Sequence, residues 1–159
     1  MNSYEVAKHA AAAALSELEA GLEAKRQAEA AEAARVAAIL EPALVEVRRV
    51  FESYRDQLSA DGFTATFDTR EAHPQKIGLE IQFDGPLARL SRTYRRIYVT
   101  AEIQGQRVMM TAITIMSSGY KRPDIGSWQL ASEDDLLSFG ETLELAWAKI
   151  FKTVFEPRK

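Results

Sequence analysis

Residues 40–67, LEPALVEVRRVFESYRDQLSADGFTATF, decide the fold, because one periodicity stops within them and another begins. Apolar side chains at Leu40, Leu44, Val47, Phe51, Tyr54 and Leu58 advance in alternating steps of four and three, the spacing of one helix face. Asp61-Gly62 ends that pattern. Phe63, Ala65 and Phe67 then alternate with Thr64 and Thr66, the spacing of a strand with one buried face. The chain reads as α+β, helix first and antiparallel sheet second.

Upstream of this stretch, Ala, Glu, Leu, Lys, Arg and Gln dominate from Tyr4 onward. These residues lose little side-chain freedom in a helix. Asn2 and Glu5 have the spacing of a reciprocal cap, which starts the helix near Ser3. Pro42 disfavours a helical residue before it and lacks an N–H, so a kink or break is expected at Glu41, with Pro42 in the first turn of a second helix over 43–59. The expected organisation is a projecting or pairing helix over 1–41 and a single α+β domain over 42–159. A first helix reaching Leu40 spans about 55 Å at the rise of an α-helix, more than a compact domain of this size requires. Leu15, Leu18 and Leu22 repeat a coiled-coil spacing, and its continuation through Arg26, Ala30, Ala33 and Ala37 resembles a stutter. These leucines are the expected self-association seam, whereas 43–59 is expected to cover the sheet.

Downstream, Ile77, Leu79, Ile81 and Phe83 alternate with polar residues or glycine, as do Ile97, Val99, Ala101 and Ile103. Asp84-Gly85-Pro86 predicts a turn, and Gln104-Gly105-Gln106 a short hairpin into Val108–Met116. That fourth strand is apolar on both faces: Val108, Met110, Ala112 and Met116 on one, Met109, Ile113 and Ile115 on the other. The second set is a candidate protein-binding patch. A loop over Ser117–Gly126 is expected to lead to a short fifth strand around Trp128 and Leu130. Ser132 with Asp135 predicts the cap of a last helix over 133–155, whose stripe Leu136, Leu143, Trp147, Ile150, Phe151 and Val154 would close the core.

The composition excludes several chemistries. No cysteine occurs among the 159 residues, so neither a disulfide framework nor a thiolate nucleophile is available. His9 and His73 are the only histidines and stand far apart in sequence, which argues against a transition-metal site. Phosphate-binding glycine loops, a nucleophile elbow and a HExxH motif are absent. Asp134 and Asp135 read as acids in a helix first turn rather than a catalytic pair. Glu80 and Glu102 would share the polar sheet face, where a cleft could raise a carboxyl pKa; they carry a minor reading as an enzyme or small-ligand site. No run has the length of a signal-peptide core or a membrane span, and a cytoplasmic location is expected.

Net charge is −3, divided into acidic helical ends and a mildly basic middle over 62–131. Arg92, Arg95 and Arg96, interleaved with Tyr94 and Tyr98 and joined by Lys121 and Arg122, have the residue types of a single-strand nucleic-acid surface. The leading expectation is nevertheless a non-enzymatic, self-associating interaction or adaptor module. It would bind a protein partner, assemble as a homo-oligomer through Leu15, Leu18 and Leu22, and need no cofactor or metal. Nucleic-acid binding through the Arg/Tyr surface is the alternative.

Overall fold

The computed structural model describes residues 2–68, 75–83, 96–115 and 121–155, with the backbone alone at 121–124. Helix α1, Ser3–Ala60, is followed by β1 (Thr64–Phe67), β2 (Lys76–Gln82), β3 (Arg96–Gln104), β4 (Arg107–Ile115), β5 (Lys121–Ser132) and α2 (Phe139–Phe155). The chain divides into two compact units, Met1–Val36 and Ala37–Lys159.

The start of α1 follows the reciprocal cap expected from sequence. The Glu5 N–H donates to Asn2 Oδ1 at 2.9 Å, and the Asn2 N–H donates to Glu5 Oε2 at 3.1 Å. The kink or break expected at Glu41 is not a break: α1 runs through Pro42 as one helix, Ser3–Ala60. Proline removes one backbone hydrogen bond, but Leu40, Ala43, Leu44 and Val47 on both sides of it are buried, and their burial holds the helix across the defect.

Gly62 stops α1 with φ of 93°. The Phe63 N–H donates to the Leu58 carbonyl at 3.0 Å, and the Gly62 N–H to that of Ser59 at 3.1 Å. This is a Schellman motif, completed by the burial of both Leu58 and Phe63. A side chain at Gly62 would be forced into the left-handed region. Gly62→Ala is therefore expected to destabilise the Ala37–Lys159 unit by about 1 kcal/mol in urea unfolding, while Asp61→Ala changes little.

The five strands form one antiparallel sheet in sequence order, β1-β2-β3-β4-β5. Gly105, with φ of 60°, occupies the first central position of the β3–β4 connection, as a type II′ turn requires. The expected Asp84-Gly85-Pro86 turn lies outside the described residues. The fifth strand is a correction. It begins at Lys121, so residues 121–126 belong to the sheet rather than to a loop. Its register against β4 shifts between Ala112 and Thr114, where Ala112 faces Gly126 and Thr114 faces Arg122. Pro123 falls inside that irregularity on an edge strand, which is how a sheet tolerates a residue without an N–H.

Cross-strand rows such as Phe67–Leu79–Val99–Ala112 and Ile77–Ala101–Met110 set the inner face, and all but the half-buried Phe67 are buried. Helix α2 packs on β5 and buries Phe139, Leu143, Ala146, Trp147, Ile150 and Val154, and the seam residues of the second half of α1 are all buried except the half-buried Tyr54. The two helices meet through aromatic rings: Trp147 lies 5.0 Å from Phe51 and 4.8 Å from Tyr54 between centroids, and Phe151 5.1 Å from Tyr54. Phe63, Phe83 and Phe155 close the other end.

The start of α2 also differs from expectation, at Phe139 rather than 133. Asp135 is held in a bridge with Ser132, and residues 133–134 and 137–138 form turns instead of a first helical turn. Backbone pairing to Ser132 competes with the helical bonds that Asp135 would otherwise start. Leu136 thus lies outside the helix, and its exposed side chain is not in the core.

Candidate functional site

The apolar side chains proposed from sequence for partner binding lie on two surfaces, one in each unit. In Met1–Val36, residues 3–35 are exposed throughout. Leu15, Leu18 and Leu22 are 55%, 61% and 48% accessible, so the seam expected from sequence is uncovered in the single chain. Salt bridges Glu23–Arg26 at 3.8 Å and Glu32–Arg35 at 2.6 Å decorate the same helix. The Arg35 hydrogen bond holds the Glu32 carboxyl below its ordinary pKa. His9 is an exposed residue of this helix, and His73 lies outside the described residues.

The second surface is the outer face of the sheet. Strand register places Lys76, Glu102, Met109 and Gln129 in one row across it, Gly78, Thr100, Thr111 and Ser127 in the next, and Thr66, Glu80, Tyr98 and Ile113 in a third. The β1–β2–β3 side is polar and internally bonded. Glu80, 15% accessible in its side chain, accepts a 2.8 Å hydrogen bond from Gln82 and lies 3.4 Å from Arg96 Nε, while Glu102 accepts one from Gln104. Neither carboxylate is fully exposed. Met109, Ile113 and Ile115 make the β4 side apolar and half-buried.

Tyr98 departs from the alternation that placed it on a solvated face, since it is only 6% accessible. Its hydroxyl donates to Asp68 Oδ2 at 2.7 Å, and its ring crosses directly over Gly78, where no side chain stands in the way. Glycine inside a strand run is the sequence signal for such a close approach. Of the Arg/Tyr set, Arg96 pairs with Glu80 and Tyr98 is committed to this lock. Arg92, Tyr94 and Arg95 lie outside the described residues, as do the side chains of Lys121 and Arg122.

No protein family, characterised protein or solved structure matches this chain. Function has to be read from the chemistry of its own surfaces. An open groove of about 580 Å³ lies beside the β3–β4 turn, lined by Gln104, Gln106 and Gln129 together with the charged Arg107, Glu133 and Asp134. Asp134, in a turn, and Asp135, in its bridge with Ser132, are both exposed. Among the described residues no group of three or more His, Asp or Glu could hold a metal ion, and no helix is long and apolar enough to cross a membrane. Leu137, fully exposed in the turn before α2, and Leu145, 65% accessible on α2, lie outside the apolar stripe read from the sequence.

Where α1 meets α2, the Tyr54 hydroxyl donates to Glu144 Oε2 at 2.6 Å. Partial burial, and then this hydrogen bond, push the phenol pKa up to about 12. The folded state thus holds its proton more tightly than the unfolded chain, whose tyrosine titrates near pH 10. The contribution is fully present below pH 10 and is lost as pH rises from 10 to 12. Stability is expected to fall across that window in pH-dependent unfolding, and Tyr54→Phe to flatten the part of the decline that belongs to this residue.

Proposed function

We propose that this chain is a non-enzymatic, self-associating interaction module, assembling through residues 3–35 and offering the outer face of its sheet to a protein partner. The observation that carries this reading is the length of exposed helix bearing Leu15, Leu18 and Leu22. An Ala-rich helix alone is only marginally stable in water, and pairing the leucine face with an apolar surface supplies the missing burial. Met109, Ile113 and Ile115 support the second role, as an apolar strip on an otherwise polar sheet face.

Light scattering coupled to size exclusion, across a dilution series of the full chain, tests the assembly. The expected result is a concentration-dependent oligomer that Leu18→Glu converts to a monomer, with unchanged unfolding of the Ala37–Lys159 unit. One buried leucine contributes about 2 kcal/mol per copy, so the variant should dissociate at least tenfold more readily. A wild-type monomer at every concentration would end the proposal.

A further inference from the structure

The self-association reading leaves the direction of pairing open, and the charges on the helix choose one. Kept in strict heptad register rather than following the stutter through Arg26, Ala30, Ala33 and Ala37, the four-and-three spacing of Leu15, Leu18 and Leu22 extends upstream through Ala11 to Lys8, and downstream to Lys25, Glu29 and Glu32. All of these side chains are exposed. In a parallel, in-register pair every seam residue meets its own copy. Lys8 would face Lys8, Lys25 would face Lys25, and Glu29 and Glu32 would each face themselves, giving four like-charge layers.

An antiparallel pair with its two-fold axis at Ala20 has none. Leu18 then meets Leu22, and Leu15 lies along the aliphatic stem of Lys25. Lys8 meets Glu32, and Glu29 meets Ala11. Each layer occurs twice, because one surface supplies both members of every pair, which is the mark of an isologous interface. Glu32 already bonds Arg35 within its own helix, so Lys8 of the second copy would extend an ion pair into a network.

We infer that residues 3–35 pair with a second copy of this chain in antiparallel orientation, about an axis near Ala20. This rests on the self-association reading, and its test separates the two. The protein has no cysteine, so single labels can be placed cleanly. Nitroxides on Val6→Cys and Ala20→Cys, both outward positions opposite the leucine seam, report inter-chain distance by pulsed electron spin resonance on the full chain. Antiparallel pairing separates the residue 6 labels by at least about 42 Å along the axis, at 1.5 Å rise per residue, and keeps the residue 20 labels close.

A dimer in which both positions give the same short distance would overturn the antiparallel arrangement and leave self-association standing. A monomeric mass with no dipolar coupling at either position would overturn both. Charge reversal gives a second readout. Lys8→Glu is expected to weaken the dimer roughly tenfold through its two symmetric contacts, and Lys8→Glu with Glu32→Lys to restore it. In a parallel pair Lys8→Glu only exchanges one like-charge layer for another. No loss on Lys8→Glu, or no rescue by the double variant, would exclude the antiparallel register.

Discussion

Trp147→Ala is expected to destabilise the Ala37–Lys159 unit by about 3–5 kcal/mol, the largest effect of any single substitution considered. The indole is fully buried and joins α1 to α2. It contacts Phe51 and Tyr54 of α1, stacks on Phe151 with centroids 5.3 Å apart, and sits on the helix that packs on β5. Removing it leaves a cavity that no single neighbour can fill. Trp147→Phe should behave differently. Among the described residues the indole N–H finds no hydrogen-bond acceptor, so phenylalanine removes an unsatisfied donor while keeping most of the ring. Its expected loss is about 1–2 kcal/mol, the lost volume partly offset by that relief. Urea unfolding followed by circular dichroism measures both. Equal losses for the two variants would show that the donor is satisfied in solution.

Gly78→Ala is the second large effect, at about 2–3 kcal/mol, although it adds one methyl group to a half-polar sheet face. A Cβ on residue 78 would collide with the Tyr98 hydroxyl oxygen and stand 2.9 Å from Cζ of the same ring. A phenol has no soft end to bend away, and its oxygen is tied to Asp68. The ring must therefore leave its site, breaking that bond and exposing its face. Gly140→Ala is the control, since a Cβ there meets nothing within 4 Å and alanine favours the helix. Unfolding midpoints that fall equally for both variants would refute the lock. Tyr98→Phe should lose only the hydrogen bond, about 1 kcal/mol.

Much of this architecture was legible in the sequence, and the places where it was not have physical causes. Period-two alternation located β1 to β4 because each buries one face against helices. The leucine-type seam from Leu40 to Leu58 is buried within its own chain, with Phe51 and Tyr54 against Trp147 of α2. Of the kink or break that Pro42 predicts, the break is absent because core burial on either side outweighs the lost hydrogen bond. The start of α2 misled because Ser132 and Asp135 have the spacing of a helix cap but pair as an isolated bridge instead. β5 was read too short: its first half carries Lys121, Arg122, Pro123 and Gly126, turn-like residues that an edge strand can accommodate at a register shift. Tyr98 looked solvated because alternation reports which face a side chain is on, not what lies across it. Of the candidate surfaces, Leu15, Leu18 and Leu22 are exposed along with every other residue from 3 to 35, and Met109, Ile113 and Ile115 share a half-buried face.

The strand order carries a kinetic consequence. Every strand pairs with its neighbour in sequence, so each step in building the sheet closes only a short loop. The clasp between α1 and α2 is the opposite, since the Tyr54–Glu144 bond joins residues 90 positions apart. Loop-closure entropy therefore weighs on the helix–helix contact and hardly at all on the meander. Substitutions in the β3–β4 hairpin should act mainly on the rate of folding. Those at Trp147 or Tyr54 should act mainly on the rate of unfolding, because their contacts are made late and are the first to open.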